Sequence, residues 1–166
     1  MVVAISAKLD IPVPGSPVPQ SLQTLAVVLV GAWLGPVLGA GALVLYAVLG
    51  GVGVPLFADG AAGWAHLAGP TAGYLAGFIL AAGFVGWWCG PGRRPTLASV
   101  LLVMILAHSL ILFSGWARLA LMLGAAGAMT QGVSPFIVGG VAKSLAATAW
   151  YATVFRRTES HKPTLT

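Results

Sequence analysis

The sequence predicts an all-α membrane protein, a bundle of six transmembrane helices of which the first is truncated. Three observations carry this. Of the 166 residues, 58% are hydrophobic and 7% charged, far from the roughly 25% charged that soluble domains carry. Apolar runs with the ~20 residues a membrane-crossing helix needs recur at 70–89, 96–116 and 134–155. Most of the basic residues gather at the ends of these runs, as Arg93-Arg94 and Arg156-Arg157. The 23 glycines and 11 prolines do not signal disorder in such a chain, because small residues let membrane helices approach closely.

Residues 1–9 are apolar but too short to span, and Lys8 and Asp10 end the run; it reads as a half-helix, or as a start that lies upstream of Met1. Four prolines between Ile11 and Pro19 remove donors and push their neighbours to extended geometry, which predicts a stiff loop. Two short helices follow at 20–33 and 37–49, broken at Gly35-Pro36 and predicted to make one tight hairpin. The stretch 50–69 holds Pro55, Asp59, Trp64 and His66 and reads as a connection with an interfacial turn of helix. A span at 70–89 ends in Trp87-Trp88, a basic turn runs from Gly90 to Pro95, and Thr96 is the expected cap of a span ending near Trp116. Residues 119–132 read as a mixed apolar and glycine-rich connection. The last span starts with Ser134 as N-cap and Pro135 as first helical residue and ends near Phe155.

This makes one transmembrane bundle domain over residues 1–155 and a polar tail over 156–166. The net charge of +5 sits at helix ends, so nothing points to nucleic acid. By the positive-inside rule the Arg93-Arg94 turn and the tail are cytoplasmic, which places both termini inside a multi-pass protein of the cell inner (plasma) membrane. The loops at 11–19, 50–69 and 117–133 then lie together on the outer face. The single cysteine, Cys89, excludes an intrachain disulfide, and no metal-ligand spacing is present. No phosphate-binding glycine loop occurs, so any energy supply must come from other chains.

Lys143 is the residue that demands an explanation. Counted from Pro135 it lies roughly 12 Å into an apolar helix, where an ammonium costs a few kcal/mol and an anionic or hydrogen-bond-accepting partner is expected. The acidic residues are Asp10, Asp59 and Glu159, none of them inside an apolar span. Lys143 therefore reads as a binding-site cation for a small molecule entering from outside. The alternative is a lysine that snorkels to the interface or bonds backbone carbonyls.

The runs Ser6-Ala7-Lys8-Leu9-Asp10-Ile11-Pro12, Pro17-Val18-Pro19 and Leu22-Gln23-Thr24-Leu25 resemble the first loop and second helix of the BioY family, the biotin-binding S components of energy-coupling factor (ECF) transporters. Gly35-Pro36-Val37-Leu38-Gly39, Leu45-Tyr46, Gly53 to Phe57, Gly69 to Tyr74, Gly77-Phe78, and Pro135-Phe136 with Lys143 extend the resemblance in order, over most of the chain from Ser6 to Ala147. It implies a six-helix bundle of the ECF S-component type. Such a subunit captures biotin in an outward-opening pocket, sits in membrane lipid, and works with a transmembrane coupling subunit and two ATPase subunits. It uses no cofactor of its own and is not an enzyme. Three departures stand out. Gly140 occupies the place of an aspartate three residues before the lysine; His108 falls where the family has an intramembrane asparagine; and the first helix lacks the cytoplasmic half that the family uses to dock the coupling subunit. These departures keep open a solitary biotin facilitator, or a divergent relative binding another small organic acid.

The candidate substrate-binding residues are Lys143, Tyr74, His108, Gln23, Thr71, Asp59 and Trp116. Tyr74 offers a ring and a hydroxyl to a bicyclic ligand, or serves as an interfacial tyrosine. Gln23 can meet a ureido group or cap backbone. The His108 imidazole supplies a donor and an acceptor, or bonds a neighbouring helix. Thr71 caps or packs. Asp59, in a loop that resembles the family's external lid, is a replacement for the carboxylate missing at Gly140. Trp116 and Arg118 read more simply as interfacial anchors. A hydrolase using Ser109 or Ser114 with His108 lacks a third group, and neighbours on a helix do not face one another.

Overall fold

The structure, a computed structural model, describes residues 2–157. The Glu159 and Lys162 part of the expected tail lies outside them. Elements follow in the order α1 (Val2–Ala7), β1 (Asp10–Ile11), β2 (Gln20–Ser21), α2 (Gln23–Gly51), a 3-10 turn (Ala58–Gly60), α3 (Trp64–Leu67), α4 (Ala72–Cys89), α5 (Leu97–Gly132), a second 3-10 turn (Ser134–Phe136) and α6 (Ile137–Arg157). α2, α4 and the stretch from Leu97 to Val154 are long and apolar enough to cross a membrane.

α2 is two arms, not one rod. Gly35 sits at φ 79°, ψ −178°, backbone open to glycine and strained for other residues, and Pro36 follows without an amide hydrogen. The chain doubles back there. Gln23 Nε2 donates to Tyr46 Oη at 2.8 Å, whereas a straight helix would hold these residues roughly 34 Å apart. A Cβ on Gly39 would come within 3.0 Å of the Gly31 Cα. The hairpin expected around Gly35-Pro36 is thus formed. Its tip packs on α4 with almost no side chain between: a Cβ on Gly31 would strike the Ala82 carbonyl, and one on Gly86 would strike the Gly35 backbone. The interface of α2 with α4 is the most extensive in the bundle, as expected where backbones touch.

α5 departs from the sequence expectation. It starts as foreseen, with Thr96 Oγ1 accepting from the Ser99 amide, but it runs on to Gly132, interrupted at Gly124 (φ 73°, ψ 164°). Residues 125–132 form a helical segment that folds back on the main shaft, where a mixed apolar and glycine-rich connection over 119–132 was expected. Leu119 lies against Gly132, and Trp116 Nε1 donates to Ala125 O at 3.3 Å. Ser134 does not cap α6 either. Its hydroxyl donates backwards to Met129 O at 3.0 Å, a second donor to a carbonyl that also accepts from the Val133 amide at the end of the 125–132 segment, and α6 begins at Ile137.

The proline-rich loop is closed at its base by a two-residue antiparallel ladder, Asp10 opposite Ser21 and Ile11 opposite Gln20, which sequence reading had not foreseen. Lys8 Nζ donates to Pro55 O at 3.2 Å, tying this loop to the 52–71 connection. Within that connection the expected interfacial helix appears as α3. The buried core comes from α2, α4, α5 and α6 together, and includes Val27, Leu43, Val85, Met104 and Ala147.

Candidate functional site

Where the 10–22 loop, the 52–71 connection and the 125–136 segment close over one end of the bundle, a pocket with about 730 Å³ of unfilled space, counting its open mouth, is lined by residues from each helix α2 to α6 and from the loops. Leu75, Phe78, Ile111, Phe57 and Phe136 make its walls apolar, and a few polar groups converge on it. Five expected residues, Gln23, Thr71, Tyr74, His108 and Lys143, line it. They come together only because α2 folds back at Gly35 and α6 returns beside β2.

Lys143 lies about 9 Å into α6 and is half-buried. Its Nζ donates to the Ser21 carbonyl. The backbone-carbonyl reading is therefore realised, and so is its position on the pocket wall. An ammonium has three hydrogens, so this bond leaves two for other acceptors. Among the described residues no carboxylate is paired with it. Asp10, although opposite Ser21 in the ladder, keeps a buried oxygen, Oδ2, that has no hydrogen-bond partner.

Gln23 is buried and spends its polar atoms on the scaffold: Nε2 on Tyr46, and Oε1 accepting from Ser21 Oγ at 3.2 Å. Tyr46 Oη in turn donates to Leu56 O at 3.1 Å, so one chain of bonds links both arms of α2 to the 52–71 connection. Tyr74 presents its ring to the pocket, but its hydroxyl donates to Gly132 O at 2.6 Å and holds the folded-back segment in place. Thr71 makes no capping bond for α4; its Oγ1 shares a hydrogen bond of 3.0 Å with His66 Nε2. His66 stacks on Phe57 with ring centroids 4.8 Å apart, and burial lowers its pKa below the ordinary 6.5.

Two expected residues lie elsewhere. Asp59 is exposed on the 3-10 turn at φ 54°, a left-handed conformation aspartate tolerates, and it does not line the pocket, so it does not supply a carboxylate beside Gly140. Trp116 is turned to a neighbouring groove between α5 and α6, where it stacks on Phe113 at 5.9 Å and ties down Ala125. Arg118 bonds the carbonyls of Ala68 and Gly69 and so clamps the start of α4.

His108 is buried on α5, facing α6. Its Nδ1 lies 2.9 Å from Met104 O and 3.0 Å from Ser144 Oγ. A carbonyl can only accept, so Nδ1 carries the hydrogen and cannot serve as a base toward Ser144, whose own hydrogen goes to Gly140 O at 2.8 Å. The contact is a packing bond between helices, not a nucleophile paired with its base. Across from it, a Cβ on Gly140 would stand 3.9 Å from the His108 Cβ, an ordinary van der Waals contact, and the glycine brings no carboxylate to this wall. Ser21, Tyr46, Phe57, His66 and Phe136, which line the pocket, and Ser144, which bonds His108 beside it, were not foreseen as part of the site; only the register of α6 against α5 and the closure of the loops reveal them. Among the described residues no cluster of His, Cys, Asp and Glu is placed to hold a metal.

The sequence model of the BioY family matches residues 1–160. The chain is 40% identical over 131 residues to the probable biotin transporter BioY of Pyrococcus horikoshii, covering 79% of this chain and 76% of that protein. It is 31% identical over 157 residues to the biotin transporter BioY2 of Lactococcus lactis, covering 93% and 85%. The fold matches the crystal structure of the S-component for biotin from an ECF-type ABC transporter with a TM-score of 0.80, over 96% of this chain and 86% of that one; at 21% identity this likeness speaks for the fold. With its apolar helices, the chain is a membrane protein of transporter type.

Proposed function

The chain belongs to the BioY family, and from that premise we propose that it is the biotin-binding S component of an ECF-type vitamin transporter. The observation that carries this reading is the pocket itself: aromatic and aliphatic walls for a bicyclic body, with Lys143 and His108 on its polar side. Biotin enters from the outer face, where the 10–22 loop, the 52–71 connection and the 125–136 segment meet. The Arg93-Arg94 turn and both termini face the cytoplasm of the inner (plasma) membrane, by the charge rule. The 1–155 bundle acts as one domain. A coupling subunit and two ATPase subunits drive release, since the chain has no nucleotide-binding loop of its own.

Gly140 keeps a second ligand in view, because it removes an acceptor from the pocket wall. Equilibrium titration of the purified chain with labelled biotin, with other small organic acids as competitors, separates the two. Saturable biotin binding that those acids do not displace supports the proposal; displacement by an acid in preference to biotin overturns it. Co-purification with ATPase subunits separates the coupled transporter from a solitary facilitator.

A further inference from the structure

We propose that His108 Nε2 is the acceptor for a ligand N–H and makes the pocket selective for molecules that present an N–H beside a C=O. The inference rests on the biotin reading above and deepens it. Both partners of Nδ1 are acceptors toward it: the Met104 carbonyl at 2.9 Å, and the Ser144 hydroxyl, whose hydrogen is committed to Gly140 O. The neutral ring is thereby held in one tautomer, with its lone pair on Nε2. That nitrogen is buried and has no hydrogen-bond partner among the described residues, on a side chain only 5% exposed. Buried acceptors are nearly always paired, so one left unpaired on a side chain that lines a pocket is a place for a donor from outside the chain. Gly140, which lines the same pocket, brings no side chain to compete for it. Lys143, three residues further along α6, supplies the complementary donor to the same pocket. A carboxylate satisfies Lys143 and leaves Nε2 unpaired. A urea or amide satisfies both, and the fused urea ring of biotin has two N–H groups flanking one C=O.

The test pairs ligand chemistry with the residue. Labelled biotin is titrated against the full chain in detergent, in competition with the two cyclic carbamates in which one or the other ring N–H of biotin is replaced by oxygen. The unaltered chain should bind one carbamate at least about tenfold more weakly than biotin, because an oxygen then faces the Nε2 lone pair. His108→Phe should reduce that ratio to less than about twofold. Undiminished discrimination in His108→Phe, or none in the unaltered chain, overturns the inference while leaving biotin binding intact. If the unaltered chain binds no biotin, the proposed function falls, and the inference with it. Should His108→Phe not fold, nitrogen NMR of labelled histidine in a His66→Gln, His161→Gln background reads the same bond. The unprotonated nitrogen of His108 should shift on adding biotin and stay in place with the discriminated carbamate. An unmoved resonance overturns the inference.

Discussion

The ammonium of Lys143 donates to the carbonyl oxygen of Ser21, 122 positions earlier in the chain. That bond joins the last helix to the base of the first outer loop, at the rim of the pocket. In the proposed site, ligand capture and loop closure share one side chain.

Replacing Lys143 with alanine should weaken biotin binding by about 2 kcal/mol, roughly 30-fold, since a charged hydrogen bond to the ligand is lost and the Ser21 carbonyl is left open. Equilibrium titration of the purified variant checks this. Unchanged affinity would remove Lys143 from the site.

The doubling back of α2 depends on Gly35. Gly35→Ala places a Cβ on backbone at φ 79°, ψ −178°, a cost of about 1–3 kcal/mol. A lower thermal midpoint in detergent is expected, with weaker biotin binding, because Gln23 and Tyr46 meet only when the hairpin is closed. Gly124 offers a control: a Cβ there meets nothing within 4 Å, so any loss in Gly124→Ala comes from backbone strain alone.

Tyr74→Phe keeps the ring on the pocket wall and deletes the bond to Gly132 O. A buried carbonyl losing its donor costs about 1–3 kcal/mol. Thermal unfolding should record this loss, with proteolysis within 125–136 becoming faster. The affinity of the fraction that stays folded should fall less than in the lysine variant. The opposite order would mean that the hydroxyl, not the ring, serves the ligand.

Acidification should loosen the outer connection through His66. Burial lowers its folded pKa below 6.5, so its contribution is fully present above pH 6.5 and is lost as pH falls through the lower folded value. Hydrogen exchange of the 58–71 amides, corrected for its intrinsic pH dependence, should rise in that window for the native chain and stay flat in His66→Gln. A flat profile in both would show that His66 does not govern the closure.

Much of the architecture could be read from the residues in order. The spans at 70–89 and from Thr96 are long apolar runs with end signals of their own, and the Gly35-Pro36 break is written in two residues whose backbone preferences are local. The foldback at Gly124 was not legible: Gly124 is one of several glycines in an apolar stretch, and only the packing of Gly132 against Leu119 and the pull of Tyr74 select it. Ser134 looked like a cap because its neighbours are those of a cap, yet the Met129 carbonyl at the end of the preceding segment took its hydrogen.

The site divides in the same way. Composition and the pattern of apolar runs determined that this chain lies in a membrane, and a lone lysine within the last run marked that helix as the one to watch, since burying an ammonium is costly wherever it occurs. Tertiary structure alone decided that Asp59 and Trp116 stand outside the pocket, that the hydroxyl of Tyr74 is spent on the backbone, and that one nitrogen of His108 is bound while the other is open. Those outcomes depend on which groups from distant parts of the chain arrive within about 3 Å of one another, the reach of a hydrogen bond; spacing along a single helix carries no record of it.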